Sequence, residues 1–189
     1  MTATDDAGPD DLGPPGRLSA GRPSPFDDPA FVAGLRPIPS GTLDADQRRP
    51  AADIVGEDLG GRPVEVRIAA FKGPVLLCFL HVHCDGCDGF WQGLGDSPPT
   101  EYPGIVSAVA VTRGPGSVDR SEVARAAGAV GTFSGAGVPL VMSDAAWSDY
   151  RVTGYPFFVL VDAAHGTVVG ETVGFGWSDV RSMIDASGL

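Results

Sequence analysis

The stretch Val75-Leu76-Leu77-Cys78-Phe79-Leu80-His81-Val82-His83-Cys84-Asp85-Gly86-Cys87 decides how the chain is read. Its opening run, Val75 to Val82, is apolar on both alternating faces, as a central strand covered on two sides should be. Gly73-Pro74 punctuates the chain just before it. A cysteine pair at i, i+3 follows at once. If a helix opens at Cys84, the two Cβ atoms stand about 5–6 Å apart on one face, near the reach of a disulfide. The first thiol then lies at a helix N-terminus, where unpaired N–H groups and the macrodipole favour a thiolate. A thiolate so placed can attack a disulfide, and the neighbouring thiol can resolve the mixed disulfide that forms.

Two other readings share the same residues. Zinc sites use this cysteine spacing but normally draw on a second pair of ligands. His81 and His83 offer one, because on a strand they share a face about 6.6–6.8 Å apart. A soft metal held by His81, His83, Cys84 and Cys87 would then make the chain a binding module without redox turnover. An inert structural disulfide is the other reading. Cys78 stays outside all of them: an extended strand puts its Cα about 20 Å from that of Cys84, which leaves it a small buried hydrophobe.

Outward from this stretch the chain alternates strands and helices. Leu59-Gly60-Gly61-Arg62 is a turn between Ile54-Val55 and the alternating run Val64–Ile68. Gly104–Thr112 is a second buried strand, Ser117–Val130 a helix, Val138–Met142 a short strand and Ala145–Tyr150 a short helix. Phe157–Val161 and Thr167–Val173 form a hairpin around Ala163-Ala164-His165-Gly166, and Ser178–Ala186 is a closing helix. The pattern predicts an α/β sandwich with a mixed central sheet flanked by helices. Pro156 directly precedes a central strand, where it removes a ladder donor. Either a cis Tyr155–Pro156 bond or a simple strand-leading proline accounts for it.

Composition sets the limits. The chain has 189 residues with a formal net charge of -11, and Lys72 is its one lysine. Such a polyanion repels phosphate backbones and anionic lipid, so no nucleic-acid partner is expected. No run reaches the roughly 18 apolar residues that cross a bilayer, so this chain is not expected to insert in a membrane. Met1-Thr2-Ala3-Thr4-Asp5-Asp6 carries neither a basic nor an apolar signal region, and the placement expected from that is cytoplasmic. Residues 1–50 hold 9 of the 17 prolines and 8 of the 24 acids, so they read as a mostly disordered arm ahead of a domain spanning 51–189. Within the arm, Asp27-Asp28-Pro29 could start a helical turn bearing Phe31, Val32 and Leu35.

Residues 51–189 resemble the thioredoxin-like superfamily and, within it, the disulfide reductases of the TlpA/ResA type. Asp58–Val64 is similar to the N-terminal β-hairpin those proteins add, Gly73–Cys87 to their first core strand and redox helix, and Val138–Pro156 to the stretch ending in their cis-proline. The resemblance implies that Cys84 attacks, that Cys87 resolves, and that the Tyr155-Pro156 turn binds the substrate chain, with His83, Asp85 and Gly86 beside it. It implies protein disulfides or dithiols as partners, an unidentified electron donor, no cofactor, and an extracytoplasmic location as the alternative to the cytoplasm. Three positions depart from the family: His83 replaces the usual Trp, Asp85-Gly86 lacks the frequent proline, and Cys78 stands where a buried carboxylate or Asn is common. Asp85 and Asp88 put like charge beside the thiols and disfavour a thiolate, which points to a reducing couple. Peroxidase chemistry is not expected, because neither a Pro nor a Thr/Ser precedes Cys84 at the peroxiredoxin spacing. Gly131–Gly137 and Gly174-Phe175-Gly176 read as loops rather than phosphate cradles.

Overall fold

The computed structural model describes residues 40–189 apart from 97–99, 101, 103, 106 and 129–136. The helical turn expected at Phe31–Leu35 and most of the Gly131–Gly137 loop lie outside the described residues. Among the described residues, nine strands join in one mixed sheet. In chain order they are β1 (Ser40–Thr42), β2 (Arg49–Pro50), β3 (Ile54–Glu57), β4 (Pro63–Val66), β5 (Pro74–Phe79), β6 (Ser107–Thr112), β7 (Leu140–Met142), β8 (Phe157–Asp162) and β9 (Thr167–Val173). Across the sheet they run β1-β9-β8-β5-β6-β7-β3-β4, with β2 also on β9. The α-helices of the described residues are α1 (Asp88–Asp96), α2 (Arg120–Ala127), α3 (Asp144–Asp149) and α4 (Trp177–Ser187).

Strand β5 is central because both of its faces are apolar. It pairs parallel with β6 and antiparallel with β8. Leu76, Cys78 and Leu80 point into one core with Phe90, Trp91 and Leu94 of α1, Val123 of α2, and Val180 and Met183 of α4. Val75, Leu77 and Phe79 point into the other, with Trp147 of α3, Tyr150, Ile54 and Ile68. Burying each such side chain is worth about 1.5–3 kcal/mol, so two full cores hold this strand in register. The layers are therefore α1, α2 and α4 on one face and α3 with the Ile68–Ala70 turn on the other.

The sheet starts earlier than Ala51. Ser40–Thr42 pairs with Gly170–Thr172, and Arg49–Pro50 with Thr167–Val168. These segments are too short and polar to show a strand period, and main-chain hydrogen bonds to an edge carry them. Arg49 adds an ion pair to the carboxylate of Glu171. The expected hairpin Ile54–Val66 is present, but its second arm stops at Val66, where Asp53 accepts the Ile68 N–H and a 3₁₀ turn takes over. The strand expected from Gly104 begins at Ser107, after Gly104 turns through a positive φ of 86°.

Candidate active site

Strand β5 ends at Phe79, and Leu80 keeps its register through one more bond to the Val111 carbonyl, 3.0 Å. His81–His83 then form a connecting loop. Cys84 is extended (φ -140°, ψ 105°) and caps a 3₁₀ turn over Asp85–Cys87, whose closing bond runs from the Cys87 N–H to the Cys84 carbonyl at 2.8 Å. Helix α1 begins only at Asp88. The position of Cys84 is thus set by the end of the strand, and that of Cys87 by the first turn.

This turn separates the two thiols by environment. Cys84 is half-buried, whereas Cys87 is fully buried beside Cys78, Leu80 and Phe90. The His81 N–H points at the Cys87 sulfur at 3.5 Å. Burial pushes the Cys87 thiol well up, and a hydrogen bond with Cys84 and the charge of Asp88 push the same way. Cys78 is raised by burial alone. All three cysteines are free thiols.

The facing wall comes from the start of β8. Its antiparallel register places Phe157 opposite Phe79, so one step further Pro156 falls opposite Leu80 and Tyr155 opposite His81. The Tyr155–Pro156 peptide is cis. The Tyr155 carbonyl lies 4.0 Å from the Cys84 sulfur, and a Cβ built on Gly86 would sit 3.7 Å from Pro156 Cδ and 3.8 Å from the Cys84 sulfur. Cys84, Gly86, Tyr155 and Pro156 thereby meet in one place, with Asp85 exposed between the two cysteines.

The histidines are engaged differently from the metal reading. The loop has left the strand before His81, and the two rings lie 5.6 Å apart, tilted by 53°, with a nitrogen of each engaged elsewhere. The His81 ring stacks on Tyr155 (centroids 4.7 Å, planes 15° apart), and its Nδ1 accepts the His83 N–H at 3.1 Å. The His83 Nε2 faces the Glu122 carboxylate at 3.3 Å. Among the described residues, no three His, Cys, Asp or Glu side chains are grouped so as to hold a metal ion, and the cluster of His81, His83, Cys84 and Cys87 is not assembled. Burial pulls the His81 pKa below its ordinary value, and the charges of His83 and Arg113 pull it further.

Sequence reasoning passed over Glu122, Trp147 and Arg113. Trp147 packs its edge against Tyr155 at 5.9 Å, and Arg113 lies 4.3 Å over the Trp147 ring. They come from α2, α3 and the end of β6, and nothing in their spacing marks them. The contact of His81 with Tyr155 did have a signal: pairing the two buried strands antiparallel makes them neighbours.

No family model matches the chain, and no curated protein matches it in sequence. Solved structures do match. A thioredoxin-family thiol:disulfide interchange protein from Chlorobium tepidum TLS is similar at a TM-score of 0.54 and 19% identity, over 77% of this chain and all of that one. The thioredoxin domain of a thiol-disulfide oxidoreductase from Bacteroides vulgatus gives 0.51 and 22%, over 72% and 94%. An exposed lipoprotein thioredoxin from Streptococcus pneumoniae gives 0.53 and 17%, over 72% and 98%. No helix of the described residues is long and apolar enough to cross a membrane. With β5, the Cys84–Cys87 turn and the Pro156 loop placed as they are and these structures alongside, the chain belongs to the thioredoxin-like fold.

Proposed function

We propose that the chain is a thiol–disulfide oxidoreductase acting on protein disulfides through Cys84 and Cys87. The observation that carries this reading is the asymmetry of the pair: one half-buried thiol faces an open main-chain edge at Tyr155, and the second is buried behind it. The Cys84 thiolate attacks one sulfur of the partner's disulfide and the other leaves as a thiolate. Cys87, once deprotonated, attacks the Cys84 sulfur and releases the second partner thiol. The partner gains two electrons, and Cys84–Cys87 is left as a disulfide for an external dithiol donor to reduce. The Tyr155 main chain pairs with an extended substrate segment, which gives affinity with little sequence preference. Gly86 leaves room for that segment, while His83 and Asp85 border it.

The structural relatives are named as interchange proteins and oxidoreductases, and that supports the chemistry. One of them is an exposed lipoprotein. The cytoplasmic placement expected from the sequence gains no support from these relatives, and an extracytoplasmic setting suits the proposed chemistry better. The test is a titration of the purified protein against a dithiol redox buffer, with alkylated thiols counted by mass. A two-electron transition confined to Cys84 and Cys87, at a reducing potential, is expected. No transition, or no exchange with a peptide disulfide, would reduce the chain to a docking module that uses the fold alone.

A further inference from the structure

His81 touches both the Cys84 loop and the Tyr155 segment facing it. Its ring face lies on Tyr155, the residue whose carbonyl looks at the Cys84 sulfur. Its Nδ1 takes the N–H of His83, the residue just before Cys84. That second bond runs from residue i+2 back to a side-chain acceptor at residue i, the arrangement of an Asx turn with an imidazole nitrogen in place of the amide oxygen. The His83 backbone is bound in this way at the point where the chain leaves β5 and enters the cap at Cys84. Tyr155 is 41% exposed, and two rings pack against it, His81 stacked and Trp147 at a T-shaped angle.

We infer that His81 is a positioning residue for disulfide exchange, which sets the attacking loop with its Nδ1 and the substrate-pairing Tyr155 with its ring. The inference rests on the redox reading of Cys84 and Cys87. His81 does not enter the chemistry. Its two contacts act on different stages, the first on the approach of Cys84 to a sulfur and the second on the grip on an extended chain.

Two substitutions separate them. His81→Phe keeps a ring for Tyr155 and loses the acceptor. His81→Asn keeps an acceptor for the His83 N–H in an Asx turn and loses the stack. Each variant is assayed with a small disulfide that has no main chain to pair with Tyr155 and with an extended peptide disulfide, and the exchange of the His83 amide hydrogen is followed by NMR. In H81F the amide should exchange on the order of tenfold faster, and kcat/KM should fall for both substrates. In H81N the amide should stay protected, while KM for the peptide rises about two- to tenfold with kcat little changed. An amide indifferent to H81F, or the same kinetic loss in both variants, overturns the role of His81. A wild-type protein that exchanges neither disulfide while its amide responds as expected overturns the redox reading and, with it, any role of His81 in exchange. An unresponsive amide in a protein that does exchange overturns the His81 role alone.

Discussion

Cys84 and Cys87 are three residues apart and belong to different regions of the molecule. Cys87 lies in the core that β5 shares with α1 and α4, where neighbours are apolar and the thiol is held protonated. Cys84 belongs to the rim, with His81, His83, Asp85 and Tyr155, where side chains are exposed or half-exposed and contacts are single stacks and single hydrogen bonds. The core fixes position by packing, and under the proposed function the rim sets the chemistry by polarity. The largest expected effect follows from that division. Cys84→Ser should bring disulfide exchange down to the uncatalysed background with stability little changed. Cys87→Ser should leave the first attack intact and trap the partner on Cys84, as a mixed disulfide detectable by mass. Turnover surviving in Cys84→Ser would mean that the two regions do not divide the work as described.

Stability should divide the other way. Leu77→Ala removes a fully buried side chain from the centre of β5 and is expected to cost about 2–5 kcal/mol in denaturant unfolding. Gly93→Ala tests the joint between α1 and α4, because a Cβ there would overlap the indole Nε1 of Trp177. Overpacking of this kind costs about 1–3 kcal/mol. Asp85→Asn on the rim should stay within about 0.5 kcal/mol of the parent. A rim substitution as costly as the two core ones would break the comparison.

The same division explains what could be read without coordinates. Strands β5, β6, β8 and β9 were legible because their apolar runs are long and set off by Gly73-Pro74 and Ala163–Gly166, and the cysteine pair was legible from its place after the first run. Strands β1 and β2 were not, since three and two polar residues show no period and depend on β9 for their pairing. On the rim, Tyr155, Pro156, Asp85 and Gly86 came from the resemblance, while the contact of His81 with Tyr155 follows only once the strand ends and their register are known. Read along a strand, His81 pairs with His83 as a ligand. Only the end of β5 at Phe79 and the register against β8 turn its ring toward Tyr155.

The buried thiol carries a pH signature. A folded-state pKa raised by burial means that the folded dithiol form binds its proton more tightly than the unfolded chain does. The stabilising contribution is complete below the unfolded thiol pKa of about 8.5 and is lost as pH rises above it. Denaturant midpoints of the reduced protein should therefore fall more steeply above about pH 8.5 than those of Cys87→Ala. Release of the mixed disulfide by Cys87 should quicken by about tenfold for each pH unit across the neutral range, because only the thiolate attacks. A release rate flat in pH would place a proton acceptor beside Cys87, in the core it shares with Cys78.

The smallest effect lies where core and rim meet, at Asp88. Its exposed carboxylate opens α1, where negative charge at a helix N-terminus is favourable by about 0.3–1 kcal/mol, yet the same charge helps to hold Cys87 protonated. One residue thus supports the helix and opposes the thiolate. Asp88→Asn should relieve the opposition, raise the small thiolate fraction of Cys87 and quicken release of the mixed disulfide by about twofold. It should also lower stability by a few tenths of a kcal/mol, for want of the charge on the helix end. Both changes should shrink as salt is raised toward 1 M, where screening acts within about 3 Å. A release rate that falls, or a change indifferent to salt, would show that Asp88 acts on the cysteines through the structure of the turn rather than through its charge.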